Sequence, residues 1–422
     1  MLLYDLGIYL YRQGIRIAAH TSRHAKPRLL NEGLGEVWDR LLPLKSGEGR
    51  NVWIHVASLG EFEQGRPLIE RLKREHPELR IILTFFSPSG YEVRKNYKEA
   101  DIVAYLPIDT PRNVSRFLDI VRPEMAIFVK YEFWLNYLKE LRRREIPTYL
   151  ISGIFRPDQL FFKSYGGFYR NALRTFRRLY VQDERSRRLL DGIGITDVTV
   201  AGDTRFDRVT DIMRGVKPHR ILDLFCKAPG DERLTFLAGS SWPEDEAVYA
   251  EWLRESGDSV KGVIAPHEFD AERLKRLLGL FGDKAVLMSE AEGNPELLEG
   301  KQVLIIDCFG LLASAYSYAD IAYVGGGFGA GLHNINEAAV YGIPVFYGPN
   351  HSKFIEAEEM KTQGGGIAIN SKEEFREKAD RLLADPSERK ALGQRSATYI
   401  RSKLGATDII YSDLFATTAN MR

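Results

Sequence analysis

Residues 52–76 read VWIHVASLGEFEQGRPLIERLKREH. The opening run, VWIHVAS, is short and almost continuously apolar, which suits a parallel strand buried on both faces. The stretch FEQGRPLIERLKREH that follows is helix-like, and Gly60 between the two lets the chain turn tightly. A strand passing straight into a helix is half of a βαβ crossover, and its repetition builds a doubly wound sheet.

The pattern repeats outward from there. RIILTFFS (80–87), IVAYLP (102–107), MAIFV (125–129), TYLISG (148–153), RLYVQD (178–183) and VTVAGD (198–203) follow, with helix-like segments such as FWLNYLKELRRRE between them. The alternation weakens over 206–232, a charged stretch with Pro218, Pro229 and Gly230 that reads as a linker. It resumes with LTFLAGS (234–240), VKGVIAPH (260–267), KAVLMSE (284–290), VLIIDC (303–308), IAYVGGG (321–327) and IPVFYG (343–348), then closes in charged helices. The expectation is an α/β protein of two Rossmann-like doubly wound domains facing a cleft, residues 46–210 and 211–422, behind an N-terminal segment over 1–45. Ligands in such sheets bind beyond the carboxyl ends of the strands.

A chain of 422 residues is too long for one ordinary core. Its 44% apolar and 28% charged content is that of a globular protein, and a net charge of +1 gives no argument for nucleic acid. Cys226 and Cys308 show neither metal-ligand spacing nor a disulfide framework. No cleavable signal peptide is evident, and no run reaches the ~18–20 uncharged apolar residues of a spanning helix. Residues 1–19, MLLYDLGIYLYRQGIRIAA, are apolar but interrupted by Asp5, Arg12 and Arg16, and His20, Arg23, His24, Lys26 and Arg28 follow. Charges are costly at a bilayer centre, so this segment reads as an interfacial helix with its arginines at anionic headgroups. Packing on the protein's own core is the alternative.

Chemistry-bearing residues cluster after the apolar runs. SLGEF (58–62) places Glu61 at a helix start, where it acts as a general base or only complements the helix dipole. KYEFW (130–134) puts Glu132 beside aromatic rings, with a second helix-start acid as the plainer reading. In APHE (265–268), Pro266 stiffens a strand exit, and His267 either donates to a phosphate or base or is structural. GGGFGAGLHNINE (325–337) is the richest stretch. Its glycines let backbone amides approach an anion, and a helix starting near His333 or Asn334 points its positive end at the same place. It is neither a Walker loop nor a dinucleotide fingerprint. Glu337 stands one turn beyond Asn334, where it can accept from ribose hydroxyls. YGPNHSKF (347–354) makes one more turn with Asn350 and His351.

In order along the chain, WIHVASLGEFEQGRPLI, KYEFW, IPTYLISG, GDTRFD, LAGSSWPEDE and GGGFGAGLHNINEAAVYGIPVFYGPNHSKF resemble the landmarks of the lipid A Kdo transferases, glycosyltransferases of the B fold. The resemblance runs from about Val52 to Phe354, and the apolar-basic N-terminus is similar to that family's inner-membrane anchor. It implies inverting transfer of 3-deoxy-D-manno-octulosonic acid (Kdo) from CMP-Kdo to a lipid A precursor at the cytoplasmic face of the inner membrane, with no metal or other cofactor. It implies Glu61 as catalytic base, Glu132 with Ser58 and Gly60 in the acceptor and sugar site, and Pro266, His267, Gly310, Gly326, Gly327, Asn334 and Glu337 around CMP. The departures are an arginine missing after Pro266, Leu311 where an acid is common, and Asp203 and Arg205 where asparagine and lysine are common. Arg156 and Lys353 are the candidate replacements for the missing cation. The competing expectation is another B-fold enzyme that uses a UDP-sugar.

Overall fold

The computed structural model describes residues 2–21, 25–44, 49–329 and 331–419. Arg23 and His24 of the basic flank, the expected boundary at 45/46 and Ala330 of the glycine run lie outside the described residues.

Among the described residues the strands are β1 (Arg50–Val56), β2 (Leu79–Phe85), β3 (Ile102–Tyr105), β4 (Pro123–Val129), β5 (Thr148–Gly153), β6 (Arg178–Val181) and β7 (Val198–Val200). A second series comprises β8 (Leu234–Ser241), β9 (Val260–Pro266), β10 (Ala285–Leu287), β11 (Val303–Ile305), β12 (Ile321–Val324), β13 (Val345–Tyr347) and β14 (Gly366–Ala368). They form two seven-stranded sheets, ordered β3-β2-β1-β4-β5-β6-β7 and β10-β11-β9-β8-β12-β13-β14. Every pairing is parallel. Each order turns back next to its first strand, between β1 and β4 and between β8 and β12, and in the second sheet β10 also lies outside β11 at the edge. Those reversals are where a doubly wound sheet opens a crevice at its carboxyl ends.

The continuous apolar runs are explained by burial on both faces. On β1, Trp53 packs into one core while Val52, Ile54 and Val56 pack into another on the opposite face. In the second sheet Phe236, Ile264, Ile321 and Tyr323 build one core. Their alternates Leu237, Val263, Ala322 and Val324 are equally buried. Strand β14 was not expected from the sequence. It is three residues long, sits at a sheet edge and is preceded by glycines, so no apolar run announces it.

The stretch expected as a linker, 206–232, holds the first crossing between the two units, Arg208/Val209, and is helical over Arg205–Arg214 and Arg220–Cys226. The chain also divides differently: one compact unit is Met1–Arg208 with Leu404–Arg422, the other Val209–Lys403. The last helix, Ala406–Ala419, therefore belongs to the first unit. The reason is local: Asp207 accepts from the backbone N–H groups of Gly405 and Thr407, 2.7 Å each, and so caps that helix. Asp413 then takes Arg178 at 2.6 Å and the Tyr180 hydroxyl at 2.9 Å, and Phe415 stacks on His76 at 4.2 Å.

The N-terminal segment begins with the helix Leu2–Thr21. It buries Ile8 and Ile15 but exposes Leu2, Leu3, Leu6, Tyr9, Leu10 and Ile17. Among the described residues, no helix is long and apolar enough to cross a membrane.

Candidate active site

In the first unit, the residues that leave the two strands at the reversal are Glu61, after β1, and Glu132, after β4. Glu61 is the third residue of the helix Leu59–Glu75. Its Oε2 accepts from the N–H groups of Ala57 and Ser58, 2.9 Å each, and from the Ser58 hydroxyl at 3.0 Å. Helix capping is therefore one of its roles. All three bonds fall on the same oxygen, so among the described residues no donor engages Oε1. Burial, and next the charge of Glu132, raise the Glu61 pKa above the usual carboxylate range; the Ser58 hydrogen bonds and Lys130 oppose this.

Glu132 is not a helix-start acid. It stands in the loop ahead of the helix Leu135–Arg143, after a turn in which Lys130 takes a left-handed φ of 61°. Its Oε2 accepts the Trp134 indole N–H at 2.7 Å and lies 3.2 Å from His55 Nε2. His55, fully buried on β1, has its Nδ1 2.9 Å from the Thr84 hydroxyl, and that hydroxyl accepts the Trp53 indole N–H at 2.8 Å. Glu132 is thus held by a buried polar chain. The sequence reading took Trp134 only as a ring beside Glu132 and did not single out His55 or Thr84; the signal was a histidine inside an otherwise apolar strand. Gly60 needs correction. It is an exposed helical residue without positive φ, a Cβ there would meet nothing within 4 Å, and the turn is made at extended Ser58 instead.

In the second unit, β8 leads into Trp242 and β12 into the glycine run. The Trp242 ring stacks on His267 at 4.6 Å, and His267 meets His333 at 4.5 Å. The Trp242 indole N–H donates to His333 Nε2 at 3.2 Å. Burial, then His267, lower the His333 pKa to about 4, so the ring is neutral near pH 7. Pro266 ends β9 beside Ser241, and the exposed His267 donates its backbone N–H to the Ser241 carbonyl at 3.0 Å. These contacts bring His267 and the glycine-run residue His333 together.

The expected anion cradle is mostly spent on the loop itself. The N–H of Gly325 donates to Gly239, that of Gly326 to the buried carboxylate of Asp245 at 2.8 Å, and those of Gly329 and Gly331 to the Gly326 carbonyl. Glycine is required for close packing: Gly326 has φ 90°, and a Cβ on Gly327 would come within 2.6 Å of the Gly348 backbone nitrogen. Asp245, from the LAGSSWPEDE stretch, is the residue that holds this loop. It also caps its own helix through the Trp242 N–H and accepts the Tyr323 hydroxyl.

The helix expected at His333 or Asn334 begins only at Asn336 and runs four residues, too short to present a helix dipole. Asn334 accepts from the Asn336 N–H and donates to Glu337 Oε1, both at 3.2 Å, so Asn334 and Glu337 are side by side and partly exposed. Gly310 is exposed with φ 85°, next to the Phe309 ring that packs on Phe269. Arg156 and Lys353 are both exposed. Arg273, which the sequence reading did not single out, reaches the Ser241 carbonyl, although its main partner is the buried Glu246.

Residues 28–208 match the family model described as 3-Deoxy-D-manno-octulosonic-acid transferase (kdotransferase). A 3-deoxy-D-manno-octulosonic acid transferase of Aquifex aeolicus is 28% identical over 360 residues, covering 83% of this chain and 91% of its own length. One of Chlamydia trachomatis serovar D is 28% identical over 373 residues, covering 86% and 84%. Among solved structures, UDP-GlcNAc 2-epimerase from Neisseria meningitidis superposes with a TM-score of 0.61 over 87% of this chain and all of its own, at 16% identity, a likeness of fold alone. The two parallel α/β sheets are those of the glycosyltransferase-B fold, and the match over residues 28–208 and the relatives aligned along most of the chain make this protein similar to the 3-deoxy-D-manno-octulosonic acid transferases.

Proposed function

We propose that this protein transfers Kdo from CMP-Kdo to a sugar hydroxyl of a lipid A precursor, with inversion and without a metal. The observation that carries this reading is the Glu61 carboxylate, tied down among the described residues through Oε2 and raised in pKa by its surroundings. A base needs an oxygen within reach of the hydroxyl it deprotonates and a pKa nearer to neutrality than that of a solvated acid. Glu61 Oε1 takes the hydroxyl proton as that oxygen bonds to the anomeric carbon. The carbon–oxygen bond to the phosphate of CMP breaks, and CMP leaves with the electron pair. Glu132, fixed by Trp134 and His55, shapes the acceptor and sugar site beside it.

In the second unit the reading assigns CMP to Pro266, His267, Gly310 and the Asn334–Glu337 pair, with the neutral His333 buttressing His267. The exposed apolar face of Leu2–Thr21 supports a peripheral position at the cytoplasmic side of the inner membrane. The test is mass spectrometry of a tetra-acylated lipid A precursor incubated with CMP-Kdo. The unaltered chain adds Kdo; Glu61→Gln lowers transfer about 10²–10⁴-fold while calorimetric CMP binding persists. Binding of UDP in preference to CMP would overturn the donor assignment.

A further inference from the structure

The helix Leu2–Thr21 has two faces, and the one turned toward the first unit is polar at chosen points. The Tyr4 hydroxyl donates to Asp109 Oδ2 at 2.6 Å and accepts the Leu135 N–H at 3.3 Å. Asp5 Oδ1 accepts from the Asn136 side-chain amide at 2.8 Å. The buried Asp109 carboxylate accepts the N–H groups of Asn136 and Tyr137, 3.0 Å each. Leu135, Asn136 and Tyr137 open the helix Leu135–Arg143, whose N-cap residue is Trp134 and offers no oxygen to the helix's unpaired N–H groups. Tyr4 and Asp109 therefore do what an N-cap side chain does elsewhere.

Trp134, the residue so fixed, is the one whose indole N–H holds Glu132. A second contact reaches it from the same N-terminal helix. Tyr11 stacks on Phe86 at 6.0 Å and 26°, and Phe86 packs on the Trp134 ring at 4.6 Å. One element thus bonds the backbone after Trp134 directly and reaches the ring of Trp134 through Phe86.

We propose that the helix Leu2–Thr21 is a working part of the acceptor site, with Tyr4, Asp5 and Tyr11 as positioning residues that set Trp134 and through it Glu132. This rests on the reading above that Glu132 serves Kdo transfer. A helix that served only as an anchor would need its apolar face and nothing more. Here the opposite face completes a helix cap one residue away from a Glu132 ligand.

The experiment uses the full chain with a detergent-dispersed acceptor, so that membrane attachment is not required for encounter. Tyr4→Phe combined with Asp5→Ala removes the clasp. Tyr11→Leu removes the ring but keeps an apolar residue and leaves the cap intact, should the double variant fold poorly. The expected result is amide exchange at 135–137 faster by about tenfold in the double variant. In both variants kcat falls about tenfold with the CMP-Kdo KM and vesicle co-sedimentation unchanged, and Tyr11→Phe restores kcat. Unchanged kcat in both variants, or a kcat loss that merely follows lost vesicle binding, would overturn the proposal. Absence of transfer by the unaltered chain would overturn the transferase reading instead. Amide exchange at 135–137 then decides the coupling alone: unchanged rates overturn it.

Discussion

Trp242 and His333 share a 3.2 Å hydrogen bond whose direction is settled by chemistry, because an indole N–H only donates. His333 Nε2 must carry the lone pair, and the ring hydrogen of the neutral imidazole sits on Nδ1. Protonation would put a second hydrogen where the indole hydrogen already points. The lowered His333 pKa, caused first by burial and then by His267, is consistent with that penalty.

A pH dependence follows from His333. Its native pKa is about 4, below the ordinary imidazole value, so between about 4 and 6.5 the unfolded chain binds the extra proton. This contribution to stability is present above pH 6.5 and is lost as pH falls through about 4. The slope is at most about 1.4 kcal/mol per pH unit. Urea titrations of the protein and of His333→Asn from pH 4 to 7 should differ in that slope, and parallel curves would contradict it.

Asp109 has the opposite sign. Burial, opposed chiefly by the Tyr4 hydroxyl, raises its pKa to about 6. The native state holds the proton more tightly than the unfolded chain, so this contribution is complete below about pH 4 and is lost as pH rises through about 6. Replacing Asp109 by Asn should remove that decline. The check is the midpoint of urea unfolding, compared between the two proteins across pH 4–7.

If Glu61 is the base as proposed, Glu132 acts on it through charge as well as shape. Its negative charge helps to raise Glu61, so Glu132→Gln should make Glu61 easier to ionise. The acid limb of log(kcat/KM) against pH should move to lower pH, even as kcat falls from the altered site. An unmoved or upward-moved limb would show that Glu61 is not the titrating base.

Two glycines make contrasting predictions. At Gly326, φ is 90° and a Cβ would collide with the Gly331 carbonyl, so Gly326→Ala should cost on the order of 2–4 kcal/mol. Gly60 is helical with open space around its missing Cβ, so Gly60→Ala should leave stability unchanged or raise it by up to about 1 kcal/mol. Denaturant titration of the two variants separates a packing glycine from a dispensable one.

The exposed face of the first helix gives the last prediction. Exchanging Leu2, Leu6 and Leu10 for serine removes apolar area without touching Tyr4 or Asp5. Co-sedimentation with anionic vesicles should be lost, at roughly 1.5–3 kcal/mol for each fully buried leucine. Retained binding would place the membrane contact elsewhere.

The sequence by itself determined the two sheets, because strands buried on both faces must be apolar at nearly every position; VWIHVAS and its counterparts could hardly be anything else. It also put Glu61 and Glu132 in the short segments after β1 and β4, since a strand's end is visible where an apolar run stops. Tertiary structure alone decided what those exits do. The Gly326 amide went to Asp245, some eighty residues away, and the last helix went to Asp207, some two hundred residues away. Hydrogen bonds of such separation leave no period in the chain. They are set by which strands become neighbours, and that outcome belongs to the packed sheet rather than to any local run of residues.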